Sequence, residues 1–180
     1  ECASYQYDLD KVVFVPSGNP PHKTNKEITN ADDRYSMALL ATMSNPKFRV
    51  SRMEIDREGL SYTIDTVREF KKIYPNAKFY FITGADAILE IFTWKAPGEL
   101  LAEVEFIAAS RPGYCLSQLG REIYDEYRDS IHLLEIPGLA ISSTDIRGRV
   151  KVGRPIKYQL PEEVEAYIRK HNLYLKGGNN

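Results

Sequence analysis

The chain alternates short apolar runs with stretches of helical periodicity, and this alternation restricts its fold more than any other feature. Five runs of β-branched and aromatic residues predict strands, and several are continuously apolar, as expected of strands covered on both faces. They are KVVFVP (11–16), FRVSRMEI (48–55), KFYFIT (78–83), VEFIAAS (104–110) and IHLLEI (131–136). The alternation predicts an α/β fold with a doubly wound, mostly parallel sheet and flanking helices.

Helical patterns lie between these runs. The stretch 31–44 follows Thr29 and Asn30, either of which has the side-chain oxygen of a helix cap. The stretch 62–74 carries an apolar face at three- and four-residue spacing and is ended by Pro75. That face consists of Ile64, Val67, Phe70 and Tyr74. Two more helices are predicted for 118–129 and 161–174, and the opening residues 1–16 suggest a helix end running into a strand.

Size and composition indicate one domain over residues 1–180, with a frayed tail at 175–180. Lysine plus arginine (24) nearly balances aspartate plus glutamate (25), so no overall field attracts nucleic acid or anionic membranes. No stretch has the length and apolarity of a membrane span or signal peptide. Cys2 and Cys115 form no metal-binding or disulfide pattern, which favours a reducing, cytoplasmic location.

In parallel α/β folds, ligands bind beyond the carboxyl ends of the strands, so the residues that follow the strands are the candidates for function. After the first strand, a stiff proline- and glycine-containing loop ends in His22 and Lys23, which are able to neutralise phosphates or simply to lie in a solvated turn. After the third, Gly84 lets a ligand approach the backbone. Asp86 there either accepts hydrogen bonds from a ribose or serves as a first-turn acid.

Other candidates lie in turns near the strand ends. Trp94 is by default a core residue, but its neighbours Pro97 and Gly98 suggest a loop, where the indole offers a stacking surface for a planar ring. The fourth strand is followed by a turn from Arg111 to Tyr114. The segment SYT (61–63) begins a helix, which Ser61 or Thr63 would cap, with free backbone amides beside Tyr62.

The segment ISSTDIR (141–147) is the most specific of these signals. A helix starting in its hydroxyl run, capped by Ser142 or Ser143, would point free amides and its positive dipole end outward. Arg147 follows about one turn later and is able to bind phosphate oxygens at two points. Capping explains one serine but not Ser142, Ser143 and Thr144 followed by an arginine, so the pattern favours a phosphate site.

Together these segments resemble the bacterial nicotinate-nucleotide adenylyltransferases, nucleotidyltransferases with a Rossmann-like fold. The resemblance covers nearly the whole chain in the order and spacing of the family. Its pieces are VPSGNPPHK, RYSMALLA, SYTIDTV, FITGADAI, TWK…EL, IAASRPGY, ISSTDIR and LPEEVEAYIRKHNLY.

The resemblance implies transfer of AMP from ATP to nicotinate mononucleotide, giving nicotinate adenine dinucleotide and pyrophosphate in NAD biosynthesis. It implies a polyphosphate site at Ser142, Ser143, Thr144 and Arg147, with His22 and Lys23 facing the phosphates. It places Gly84 and Asp86 by the adenosine ribose, Thr63 with its neighbours Ser61 and Tyr62 at the pyridine carboxylate, Trp94 on the ring, and the turn Arg111–Tyr114 around the nucleotides. Mg²⁺ would arrive with ATP, no protein metal cage is expected, and a homo-oligomer is compatible with the family.

One feature of the family is missing from the sequence. Its N-terminal strand and the glycine-rich HxGH turn do not occur, and the three histidines, at 22, 132 and 171, belong to no such motif. The resemblance therefore predicts that a strand and a turn, about twenty residues, precede Glu1.

Three other functions stay open at this point. A related adenylyltransferase would use nicotinamide mononucleotide, phosphopantetheine or FMN as acceptor. If the chain starts at Glu1, the domain could bind nucleotides without turnover. A purely structural α/β domain would use its hydroxyl run only as a helix cap.

Overall fold

The computed structural model describes residues 1–21, 29–110, 127, 129–138 and 141–175. The elements follow one another as α1 (Cys2–Gln6), β1 (Val12–Phe14), α2 (Ala31–Thr42), β2 (Phe48–Val50), α3 (Thr63–Ile73), β3 (Tyr80–Gly84), α4 (Ala85–Leu89), a 3-10 turn (Ile91–Thr93), α5 (Pro97–Glu103), β4 (Glu105–Ser110), β5 (Ile131–Glu135), α6 (Ser143–Lys151) and α7 (Glu162–Lys170). The chain divides into two compact units, Glu1–Leu9 with Tyr62–Gly138 and Asp10–Ser61 with Leu139–Asn180.

The first unit is built on a parallel sheet of order β3-β4-β5. Its central strand β4 is covered on both faces, because Phe106 belongs to one core cluster and its neighbour Ile107 to another, and both are fully buried. The larger cluster gathers Ile64 of α3, Ile88 of α4 and Leu100 of α5 around Phe106. Burying each such side chain stabilises the unit by about 1.5–3 kcal/mol. This core therefore fixes the positions of the carboxyl end of β3 and of the turns that follow it.

The second unit pairs β1 with β2 in parallel, with Val13 opposite Arg49, and α2 makes the crossover between the two strands. Helix α7 packs on α2, and the Tyr167 hydroxyl donates to the Asp33 carboxylate at 2.9 Å. A second apolar core holds this unit together. It consists of Ile156, Val164, Ile168 and Leu173, with Met37, Leu40, Ile146 and Val150 packed against it.

The predicted α/β architecture with parallel strands is confirmed, and all five predicted strands are present. Asn30 caps α2 by accepting from the Asp32 amide at 2.8 Å, which confirms one of the two predicted caps. The apolar face predicted for α3 buries Ile64 and Val67, whereas Tyr74 is 55% exposed because the helix ends at Ile73.

One local prediction is confirmed and one was wrong. Trp94 lies on a loop, as predicted, because residues 94–96 form a bend before α5, which Pro97 and Gly98 open. Proline is accepted in the first turn of a helix, where its missing N–H is not needed. Neither Ser61 nor Thr63 caps α3; the cap position is Tyr62, and no side chain accepts a hydrogen bond there.

Several predictions fall on residues outside the described ranges. These are the roles of His22, Lys23, Arg111 and Tyr114, Cys115, nearly all of the helix predicted for 118–129, and the tail from residue 176. None of the helices in the described ranges combines the length and apolarity needed to cross a bilayer.

Candidate functional site

Helix α6 begins inside the hydroxyl run, as predicted. Ser142 is its cap residue, and the Ser142 Oγ accepts a hydrogen bond from the Asp145 amide at 3.1 Å. The amides of Ser143 and Thr144 precede the first residue able to bond within the helix, so they remain available to an acceptor outside it. All three hydroxyl residues are exposed, whereas Ile146 and Val150 anchor the opposite face in the second core. The structure therefore presents amides and the positive helix end to solvent.

The two arginines of α6 have different partners. Arg149 forms an ion pair with Asp145 at 2.7 Å, so its charge is compensated within the helix. Arg147 instead donates from Nη2 to the Thr144 hydroxyl at 3.2 Å, and among the ion pairs of the described residues it has none. Its exposed guanidinium, held by a hydroxyl of the first helical turn, therefore has no carboxylate partner within the described part of the chain. Thr144 thus orients Arg147, a contact that the sequence pattern did not reveal.

The loop after β1 is held at Gly18 and Asn19, and its described part ends at Pro21. Asn19 and Ser61 pair twice: the Ser61 amide donates to the Asn19 carbonyl at 2.9 Å, and the Asn19 amide donates to the Ser61 Oγ at 3.1 Å. Gly18 lies against the Glu54 carbonyl so closely that no side chain fits. The Ser61 hydroxyl therefore serves this loop instead of capping α3, and this partnership across 42 positions had no signal in the local sequence.

In the first unit, β3 runs directly into α4 at Gly84. Gly84 is the cap residue of α4, is exposed, and faces open space, since an added Cβ would meet no atom within 4 Å. Asp86 lies in the first turn of this helix and is exposed, while Ala85 and Ile88 are buried beneath it. The predicted exposed backbone and carboxylate therefore occur side by side at the carboxyl end of β3, the end at which parallel sheets bind ligands.

Trp94 follows the 3-10 turn and is partly buried. Its ring meets Phe81 edge-on at 5.9 Å between centroids, and it packs against the larger core cluster. Such edge-to-face pairs add about 0.5–1.5 kcal/mol beyond the burial of area. The indole thus combines a packed edge with an accessible remainder, so both its default core role and a stacking role have structural support.

Lys95 links this tryptophan segment to the start of α3. Its ammonium is 2.9 Å from the Asp65 carboxylate and 4.5 Å from the centre of the Tyr62 ring. The structure therefore brings the predicted residue Tyr62 close to the segment that carries Trp94, through Lys95. Neither Lys95 nor Asp65 was singled out from the sequence, because the contact joins positions 30 residues apart.

The turn after Trp94 has an unusual backbone. Ala96 lies in the left-handed region with φ 50° and ψ 57° and caps α5 directly before Pro97. A non-glycine residue in this conformation costs on the order of 1 kcal/mol and persists only where its surroundings fix it. The turn that carries Trp94 and Lys95 is therefore held in one defined shape.

The resemblance to the adenylyltransferases implies that a pyridine ring stacks on Trp94. On that expectation, Trp94→Ala should raise the KM for the pyridine nucleotide about tenfold and leave the KM for ATP nearly unchanged. Loss of the Phe81 contact should also lower the melting temperature. Steady-state kinetics with each substrate varied in turn check this expectation. Equal changes in both KM values would assign Trp94 to packing alone.

Comparisons with known proteins cover nearly the entire chain. Residues 1–149 match the cytidylyltransferase-like family model. A protein of Moorella thermoacetica named probable nicotinate-nucleotide adenylyltransferase is 60% identical over 97% of this chain and 82% of its own length. A protein of the same name from Thermoanaerobacter is 54% identical over 100% of the chain and 87% of its own length.

The fold also has solved counterparts. The Plasmodium falciparum nicotinic acid mononucleotide adenylyltransferase complexed with NaAD superimposes with a TM-score of 0.74, covering 92% of this chain and 83% of that one. Sequence identity in this pair is 24%, so the likeness concerns the fold.

Proposed function

We propose, from the premise that the chain belongs to the nicotinate-nucleotide adenylyltransferase family, that it transfers AMP from ATP to nicotinate mononucleotide in NAD biosynthesis. The observation that carries this function is the 60% identity to a relative of that name over 97% of the chain. The uncompensated Arg147 beside the free amides of α6 supports a role in binding a phosphate chain.

The reaction demands positioning more than covalent chemistry by the protein. An oxygen of the mononucleotide phosphate attacks the α-phosphorus of ATP, the bond from that phosphorus to the bridging oxygen breaks, and pyrophosphate leaves with the bond's electrons. The enzyme has to align attacking and leaving oxygens and to stabilise the charge that develops on them. No nucleophilic side chain is required for this displacement.

We assign the polyphosphate of ATP to α6. In this assignment the amides after Ser142, the hydroxyls of Ser143 and Thr144, and the Arg147 guanidinium contact the leaving phosphates. In the same assignment His22 and Lys23, which lie outside the described residues, would act on the phosphates. Exposure of the hydroxyls supports this role, as does the absence of a carboxylate partner for Arg147 among the residues that the structure describes.

We assign the remaining parts of the substrates to the first unit and to the segment before it. Gly84 and Asp86 would lie by the adenosine ribose, and the open space at Gly84 supports a close approach. Thr63, with the backbone of Ser61 and Tyr62, would receive the pyridine carboxylate, and Trp94 would stack on the ring. The Lys95 bridge between Tyr62 and the tryptophan segment supports grouping these residues. Arg111 and Tyr114 would close around the nucleotides.

Mg²⁺ enters this proposal as part of the substrate. Within the described ranges, no group of three or more histidine, cysteine, aspartate or glutamate side chains could hold a metal ion. Magnesium keeps several waters and commonly binds through substrate phosphates, so it can enter with ATP without a protein site of its own. We place the reaction in the cytoplasm, where ATP and magnesium are both available.

The purified full-length protein, given MgATP and either the acid or the amide form of the mononucleotide, tests this function. We expect kcat/KM for nicotinate mononucleotide to exceed that for nicotinamide mononucleotide by at least about tenfold, because a site built for a carboxylate leaves groups unpaired with an amide. Chromatography of the dinucleotide and an assay of pyrophosphate give both rates. Preference for the amide, or no dinucleotide from either substrate, would reject the proposal.

A further inference from the structure

A row of ion pairs joins α3 to the segment that follows Trp94. The contacting residues occupy every third position of α3 and every fourth position of the partner segment, so those of each helix lie along one face. We name this row the charge ladder. Its rungs are Asp65 with Lys95 at 2.9 Å, Arg68 with Glu99 at 2.5 Å, and Lys71 with Glu103 at 3.9 Å, and Arg68 also meets Glu103 at 2.6 Å.

The charges of the ladder favour a single register between α5 and α3. In the first rung the acid lies on α3, whereas in the other two rungs the base lies there. Sliding α5 by one turn would place Glu99 opposite Asp65, and two carboxylates at that separation repel each other. Asp65 also lies in the first turn of α3, where the helix dipole favours a negative charge. The ladder therefore fixes how the segment from Lys95 onward lies along α3.

The first rung holds the turn that carries Trp94. Lys95 follows Trp94 directly, and its ammonium contacts both the Asp65 carboxylate and the Tyr62 ring, whose centre is 4.5 Å away. The next residue, Ala96, has the left-handed backbone described above, so the turn has few ways to adjust by itself. Release of Lys95 therefore frees the backbone on one side of the tryptophan.

The ring of Trp94 has a second support in the core of the first unit. It packs against Phe81 at 5.9 Å and against Phe106 at 6.5 Å between ring centroids. Aromatic pairs at such separations accept a range of ring angles. The turn held by Lys95 therefore contributes to the angle at which the accessible part of the indole faces a ligand. The residues of the ladder and of this ring cluster all belong to the first unit.

We propose that Asp65 is a positioning residue for the pyridine nucleotide, which acts by holding Lys95 and thereby the turn that presents the Trp94 ring. This inference rests on the proposed function, in which that ring stacks on the pyridine. Stacking depends on the offset and the angle between the two rings, so a loosened turn weakens the binding of the pyridine nucleotide. The binding of ATP, which we assign to other residues, changes little.

We expect Asp65→Asn in the full-length protein to raise the KM for nicotinate mononucleotide about three- to fivefold and to leave the KM for ATP within about twofold. The effect is limited because an exposed ion pair contributes at most about 1 kcal/mol, which is about fivefold. Lys95→Gln should give the same increase. The double variant should show no more than either single variant, since both remove one interaction. Steady-state kinetics of the parent and the three variants measure this double-mutant cycle.

Trp94 supplies a second readout, because it is the only tryptophan in the sequence. Acrylamide quenching of its fluorescence in the substrate-free protein reports how firmly the turn is held. We expect stronger quenching in both Asp65→Asn and Lys95→Gln than in the parent. This measurement needs no turnover, so it tests the placement of the indole separately from the reaction.

Asp32 offers a matched control. Like Asp65, it lies in the first turn of its helix and pairs with a distant cation, Arg52, at 2.8 Å. Asp32→Asn therefore removes the same kind of charge from a helix start. Both Asp32 and Arg52 belong to the second unit. We expect this variant to keep the KM values and the quenching of the parent; equal changes in the two aspartate variants would assign them to a general loss of helix stability and overturn the inference.

The inference is also overturned if Asp65→Asn keeps the parent KM for the pyridine nucleotide, whatever its quenching, or if the KM for ATP rises equally. Effects of the two single variants that multiply in the double variant would likewise contradict it, because Asp65 would then act without Lys95. Should Asp65→Asn not fold, Lys95→Gln decides on the same two measurements. Failure of the proposed function would appear instead in the parent protein, as absent or amide-preferring turnover.

Discussion

We expect Arg147→Ala to lower kcat/KM by about 30- to 900-fold, which corresponds to a loss of about 2–4 kcal/mol of transition-state stabilisation. The physical reason is that Arg147 has no carboxylate partner among the described residues and is held by the Thr144 hydroxyl beside the free amides of α6. In our assignment this charge would act on the leaving phosphates as negative charge develops there. Initial-rate kinetics at saturating and limiting MgATP measure the effect.

Arg149→Ala is the matched control, since Arg149 lies on the same helix but is paired with Asp145 at 2.7 Å. We expect less than about a threefold change in kcat/KM, because an exposed ion pair of this kind contributes little. Similar losses in the two variants would point to the stability of α6 instead of a phosphate contact. An unchanged kcat/KM in Arg147→Ala would remove Arg147 from the site.

In the part of the loop after β1 that the structure describes, we expect Gly18→Ala to lower the stability of the protein and its kcat. An added Cβ would collide with the carbonyl group of Glu54 and press on the Ile55 Cα, and these are backbone atoms that cannot rotate away. Forcing such a contact costs about 1–3 kcal/mol, which for a chain of this size lowers the melting temperature by about 2–12 °C. The displaced loop should also lower kcat, because in our assignment it leads to His22 and Lys23, which would act on the phosphates.

Gly98→Ala serves as the control, because its added Cβ would meet no atom within 4 Å and α5 accepts alanine readily. Thermal unfolding and kcat are measured on both variants. A Gly18→Ala protein that melts with the parent and keeps its kcat would show that the loop relaxes around the methyl group. That result would also weaken the argument that this loop is rigidly placed.

Much of the fold was predictable from local patterns. The apolar runs predicted all five strands because strands such as β4 are covered on both faces, and the hydroxyl run predicted a capped helix start because Ser142 has to accept an amide proton. These signals depend on residues within one or two turns of each other. The resemblance to a known family supplied the order of the pieces and the chemistry.

Contacts between distant positions were not predictable in the same way. Ser61 fits the pattern of a helix cap, yet its hydroxyl accepts from Asn19, and no local preference specifies that partner. The Lys95 link to Asp65 and the bond from Arg34 to the Gly18 carbonyl have the same character. Such contacts form only when strands and helices pack together. The partners of these side chains were therefore missed, although the strands near them were predicted correctly.

The left-handed backbone of Ala96 limits which substitutions the turn after Trp94 can accept. A branched side chain is excluded there, and glycine or asparagine are the residues that would fit with least strain. Substitution at Trp94 or Lys95 changes what the turn offers to a ligand, whereas a valine or isoleucine one position further would change where the turn points. If Trp94 stacks on the pyridine ring as we propose, libraries aimed at acceptor choice should randomise positions 94 and 95 and keep 96 small.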